Sequence, residues 1–99
     1  MSYEIQFAES VKSHLEILTT AQRKAVLHAI GIQLAHEPPK ETRNRKPLRP
    51  NPIAPWELRV GALRVFYDVV EGPQPLVNVL AVGVKTRSQL QIGGQEVKL

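Results

Sequence analysis

The chain has 99 residues, of which 42% are hydrophobic, so it can form one domain with a modest core, and both a second domain and wholesale disorder are excluded. It contains no cysteine, which excludes disulfides, thiolate metal sites and cysteine nucleophiles. The formal charge is +4, and the stretch from Lys40 to Arg64 holds seven basic and two acidic residues, against six and seven elsewhere. A basic excess confined to one stretch is typical of a surface that faces a polyanion; a solvated basic loop is the alternative.

The N-terminal sequence MSYEIQFAES has no basic region followed by a long apolar run, so we expect no signal peptide. No apolar window approaches the ~20 residues that a membrane span needs. We therefore expect no contact with a membrane, and the lack of cysteine fits a cytoplasmic location.

The first part of the chain predicts one strand and two helices. Alternating apolar residues in YEIQFA predict a half-buried strand over about residues 2–8. The helical spacing of apolar residues in ESVKSHLEILTT predicts a helix over about residues 9–18. Thr19 and Gln22 then match a capping box, which predicts a second helix over about residues 21–35 that Pro38 and Pro39 prevent from continuing.

Residues 39–55, PKETRNRKPLRPNPIAP, contain five prolines and five basic residues and are predicted to form an irregular basic loop. The segments WELRV, LRVFYDVV and LVNVLAVGVK then predict three strands joined by hairpins. For the tail, residues 88–99, we expect at most a short turn or an extended end. The order β-α-α-β-β-β predicts a single α+β domain over residues 1–99, with a small antiparallel sheet and two N-terminal helices packed on one face.

The hairpin WELRVGALRVFYDV places two like charges together. If Gly61 and Ala62 are the turn residues, Arg59 lies opposite Arg64. Alternation then predicts an open sheet face that carries Glu57, Arg59, Arg64, Phe66 and Asp68. Like charges directly opposite each other destabilise a strand pair by up to roughly 1 kcal/mol. Either the two acidic residues partly neutralise the arginines, or the arginines bind a phosphate through charge-assisted, bidentate hydrogen bonds.

A phosphate-binding face would gain further contacts from neighbouring residues. Phe66 is a candidate to stack on a base, and Lys85 and Arg87 are expected at the rim of the same face. The basic loop would contribute backbone contacts through Lys40, Arg43, Arg45, Lys46 and Arg49. The three histidines have no metal-ligand spacing, so we expect neither a metal site nor a cofactor.

The element order, KPL before the loop, WELRVGALRVFYDV and LAVGVKTR resemble the RelE/ParE toxins of bacterial type II toxin–antitoxin systems, from Tyr3 to about Leu90. The resemblance implies a metal-independent mRNA endonuclease that acts in the ribosomal A site, with ribosome, mRNA and a cognate antitoxin as partners. In such toxins the 2′-hydroxyl attacks its adjacent phosphate while basic residues stabilise the transition state. Arg59, Arg64 and Lys85 match the family's catalytic basic residues, and Arg87 matches a further basic residue.

Two positions differ from the best-known RNA-cutting members. Glu57 stands where they carry another lysine, and a carboxylate there could act as a general base. Gln91 stands roughly where they carry a tyrosine. The ParE-like branch inhibits DNA gyrase with the same fold, so a gyrase inhibitor and a non-catalytic RNA-binding module are the alternatives.

Overall fold

The computed structural model describes residues 2–99. Its elements are, in chain order, β1 (Glu4–Phe7), α1 (Val11–Ile17), α2 (Thr20–Gln33), β2 (Arg45–Pro47), β3 (Trp56–Val60), β4 (Leu63–Val70), β5 (Leu76–Thr86), β6 (Gln89–Ile92) and β7 (Gln95–Val97). The α+β class and the two helices on one sheet face are confirmed. None of the helices in residues 2–99 is long and apolar enough to span a membrane.

Helix α2 begins where the capping box predicted. The Thr19 hydroxyl accepts a hydrogen bond from the Gln22 amide at 3.1 Å, and the Gln22 side chain accepts one from the Thr19 amide at 2.9 Å. These two bonds satisfy donors that would otherwise lack a partner within the helix. The helix ends at Gln33, two residues before the predicted end.

The sheet is built around β5, which pairs with β4 along one edge and with two shorter strands along the other. On that second edge β1 pairs with residues 76–79 and β6 pairs with residues 83–86. The β1–β5 pair is parallel, which departs from the predicted antiparallel sheet, while the other pairs are antiparallel. β5 has neighbouring strands on both edges, and its side chains are buried on both faces of the sheet. This burial explains why its sequence is almost continuously apolar.

Two predictions about irregular segments are wrong. The basic loop contains β2, which pairs with β3, and the tail forms a β6–β7 hairpin rather than a turn or an extended end. Strands of three or four residues show too little alternation to stand out in a sequence. Gly93 and Gly94 have φ values of 62° and 80°, so the Gly-Gly pair forms the hairpin turn instead of ending the structure.

Both faces of the sheet are covered, at least in part. The main core lies between the sheet and the helices and contains Val26 and Ile30 of α2 against Leu58, Val65 and Tyr67 of the sheet. A second, smaller cluster on the other face contains Ala54, Phe66, Ala81 and Leu90. The face predicted to be open is therefore partly covered by the segment before β3 and by the tail hairpin.

Candidate phosphate-binding face

The β3–β4 hairpin has the predicted register. Arg59 lies opposite Arg64, and Glu57 lies opposite Phe66. The turn residue Gly61 has φ 60°, a conformation that glycine adopts without strain. The predicted electrostatic conflict between the two arginines is thus present in the fold.

Lys85 joins the two arginines on the same face of the sheet. Arg64 lies opposite Gly83 on β5, and Lys85 is two residues further along that strand, so both side chains are on one face. The Lys85 amide also donates a hydrogen bond to the Ala62 carbonyl at 2.7 Å, which ties the end of β5 to the hairpin turn. On β2, Lys46 lies opposite Glu57 and shares this face. We call Lys46, Arg59, Arg64 and Lys85 the basic face.

Glu57 relieves the repulsion between the arginines. Its Oε1 atom accepts a hydrogen bond from Arg59 Nε at 2.8 Å, and its side chain is only 7% exposed, whereas that of Arg59 is 47% exposed. Asp68 forms no salt bridge within residues 2–99, and its carboxylate accepts a hydrogen bond from the Val69 amide. Neutralisation by the predicted acidic residues therefore occurs through Glu57 and does not involve Asp68.

Arg64 is held by the backbone of its own turn. Its Nη1 atom donates to the carbonyls of Gly61 at 2.7 Å and Leu63 at 2.9 Å. Its Nε atom is buried and has no hydrogen-bond partner within residues 2–99. These contacts hold the guanidinium of Arg64 at the turn of the hairpin, on the same sheet face as Arg59.

The tail hairpin forms one wall of a cavity at the edge of the basic face. The cavity has a volume of about 360 Å³, and Glu57 and Lys85 are the lining residues from β3 and β5. The remaining lining residues come from the β5–β6 turn and the tail: Ser88, Leu90, Glu96, Val97, Lys98 and Leu99. The tail residues were not predicted to belong to the site, because the short segments around Gly93 and Gly94 do not stand out as a hairpin in the sequence.

Two residues predicted to bind RNA are buried, and their side chains contact other parts of the fold instead. Arg45 is 8% exposed, and its Nη1 atom donates to the carbonyls of Gln33 and His36 at the end of α2. The β2 register turns Arg45 towards the helices and leaves Lys46 on the basic face. Phe66 is fully buried in the second cluster, so its ring has no face on which a base could stack.

The other cations predicted to bind RNA are accessible. Lys40 and Lys46 lie near carboxylates, at 3.6 Å from Glu37 and 3.5 Å from Glu41 respectively. Three further arginines are exposed: Arg43 and Arg49 in the basic loop, and Arg87 in the β5–β6 turn. Arg87 has φ 58°, which is unusual for a residue with a long side chain.

Gln91 and His14 lie away from the basic face. Gln91 pairs with Val84 on β5, so it lies on the sheet face opposite to that of Lys85. His14 Nδ1 accepts a hydrogen bond from the Val82 amide at 3.3 Å, and burial lowers the pKa of this imidazole. Within residues 2–99, no three His, Asp or Glu side chains are grouped closely enough to hold a metal ion.

Comparison with solved structures finds a match over most of the chain. The fold is similar to that of a chain in the crystal structure of the toxin–antitoxin complex RelBE2 from Mycobacterium tuberculosis, with a TM-score of 0.71 and 25% sequence identity. The match covers 86% of this chain and all of the other. No protein-family model matches the sequence, and a search of curated proteins finds no match. The similarity agrees with the resemblance seen in the sequence at the level of toxin–antitoxin proteins.

Proposed function

We propose that this chain is the toxin of a type II toxin–antitoxin module and that it acts as a ribosome-dependent mRNA endonuclease of the RelE type. The observation that carries the proposal is the convergence of Arg59, Arg64 and Lys85 on one sheet face. The similarity to a chain of the RelBE2 complex supports the toxin–antitoxin role. The basic face favours the toxin component, because an antitoxin that covers such a face is expected to be acidic.

The proposed reaction needs positioning and charge stabilisation rather than a metal. The 2′-oxygen of a nucleotide forms a bond to its adjacent phosphorus, the bond to the 5′-oxygen of the next nucleotide breaks, and the departing 5′-oxygen takes up a proton from water. Arg59 and Arg64 neutralise the charge that develops on the phosphate oxygens, and Lys85 approaches from the rim. Because Arg64 is already oriented by the turn carbonyls, little reorganisation accompanies the transition state. Glu57 is the candidate base for the 2′-hydroxyl proton, since it is the carboxylate in contact with Arg59.

Lys46 of the basic face and the exposed cations of the basic loop and the β5–β6 turn supply the proposed RNA contacts. They are Lys40, Arg43, Lys46, Arg49 and Arg87. Each phosphate that they neutralise releases counterions, so binding should weaken as salt is added. A cognate antitoxin would block the basic face with an acidic segment that folds on binding, and this segment would compete directly with RNA.

Primer-extension mapping of an mRNA in a translating extract tests the proposal. We expect cuts within codons, and we expect Arg64→Ala and Arg59→Ala each to abolish them. Lys85→Ala should weaken cleavage, while Lys24→Ala, which removes an exposed lysine from α2, is the matched control and should cut normally.

Two other outcomes would contradict the proposal and identify the alternatives. Intact mRNA together with double-strand DNA breaks would indicate a gyrase inhibitor. Intact mRNA together with salt-dependent RNA binding would indicate a non-catalytic RNA-binding module.

A further inference from the structure

Glu57 is a buried carboxylate among the four cations of the basic face. It lies opposite Lys46, it contacts Arg59, and it lines the same cavity as Lys85. A buried carboxylate is stable only when it is paired, and within residues 2–99 its salt bridge is with Arg59. Lys46 lies close to the exposed carboxylate of Glu41 instead. The structure therefore directs the carboxylate of Glu57 to one particular arginine.

The pairing occupies one of the two edges through which the guanidinium of Arg59 can bind a phosphate. A guanidinium binds a phosphate best through two parallel N–H groups, and Nε provides one of them on one edge of the group. In this fold Nε donates to Glu57 Oε1 at 2.8 Å. A phosphate that is to engage this edge of Arg59 must therefore displace the carboxylate.

We propose that Glu57, in addition to its proposed role as the base, restrains Arg59 and competes with RNA phosphate for the Nε edge of its guanidinium, so that the basic face binds free RNA weakly. Only RNA held by additional contacts, such as those of an mRNA on the ribosome, displaces the carboxylate and engages Arg59. Specificity of this kind comes from weakening the unwanted complex rather than from strengthening the wanted one. The inference rests on the proposed function, because it assumes that the basic face binds nucleic-acid phosphates.

The test is Glu57→Gln, which keeps the shape of the side chain and removes its charge. The probe is a short, fluorescently labelled single strand with 2′-deoxy sugars, which 2′-hydroxyl attack cannot cleave, and its affinity is measured over a range of salt concentrations. One further phosphate contact should steepen the slope of log K against log salt by about 0.7 and tighten binding roughly fourfold near 0.15 M salt. A variant that merely lost fold stability would not bind more tightly or show a steeper slope.

Two comparisons separate release of Arg59 from a general change in charge. Glu96→Gln removes the same charge from the wall of the same cavity, but Glu96 forms no salt bridge within residues 2–99, so the slope should stay that of the unmodified chain. The gain from Glu57→Gln should also disappear when Arg59 is replaced by Gln in the same chain. Thermal unfolding of each variant shows whether it is folded during the measurement.

The outcomes distinguish failure of this inference from failure of the proposed function. Equal slopes for Glu57→Gln, Glu96→Gln and the unmodified chain, each with salt-dependent binding, would overturn the role of Glu57 and leave the phosphate-binding face intact. A gain that persists without Arg59 would also overturn it. If no variant, including the unmodified chain, shows salt-dependent binding, the phosphate-binding face itself is refuted and the inference with it.

Discussion

Replacing Arg45 by Met should destabilise the fold without changing how the basic face binds nucleic acid. The buried guanidinium donates through Nη1 to the carbonyls of Gln33 and His36 and so connects β2 to the end of α2. A hydrogen bond from a charged donor contributes about 1.5–3 kcal/mol, and removing the donor leaves two carbonyls without it. Met fills part of the space, so we expect a net loss of about 2 kcal/mol in the free energy of unfolding. For a domain of this size that lowers Tm by roughly 8–16 °C.

Urea unfolding followed by tryptophan fluorescence measures this loss. Trp56 is the single tryptophan, and it stacks on Tyr67 at a centroid distance of 6.0 Å, so its emission reports the integrity of the sheet. Arg43→Met is the matched control, because Arg43 is an exposed arginine of the same loop and its replacement should change stability by about 0.5 kcal/mol or less.

Equal stability of Arg45→Met and Arg43→Met would refute the structural role of Arg45. The prediction would also fail if Arg45→Met, while fully folded, showed a salt slope for oligonucleotide binding shallower by about 0.7, because Arg45 would then be contacting a phosphate.

Three further predictions concern single residues in β5, the β5–β6 turn and α1. Gly83→Ala should destabilise the fold by about 1–3 kcal/mol in urea unfolding, because a Cβ there would lie 2.5 Å from the Gln91 carbonyl oxygen; unchanged stability would refute the close approach of β6. Arg87→Gly should raise stability by about 1 kcal/mol because Arg87 has φ 58°, and should weaken oligonucleotide binding in the salt titration if the side chain contacts RNA. Burial lowers the pKa of His14, so the unfolded chain binds a proton more readily near pH 6.5 and below; Tm should fall as pH drops from about 7.5 to 5.5, and by less in His14→Asn, which keeps an acceptor for the Val82 amide. An equal fall in Tm for both proteins would contradict that role of His14.

The local patterns of the sequence determined most of the framework. The capping box at Thr19 located α2, and Gly61 with alternating neighbours set the register that places Arg59 opposite Arg64. These features depend on residues close together in the chain, and their side-chain periods or turn conformations are specific enough to read directly. The α+β class followed from the order of the elements.

Tertiary structure alone decided which charged side chains are available. In β2, Arg45 points into the buried face of the sheet and the next residue, Lys46, lies on the basic face. A strand of three residues has no sequence pattern that shows which of its side chains will be buried. The burial of Phe66 depends on a segment and a hairpin that return over the sheet from elsewhere in the chain. The pairing of Glu57 with Arg59 likewise depends on the burial of the carboxylate. An exposed ion pair is weak and does not fix the conformation of its two side chains. The sequence therefore located a basic surface, and packing determined how its charges are paired.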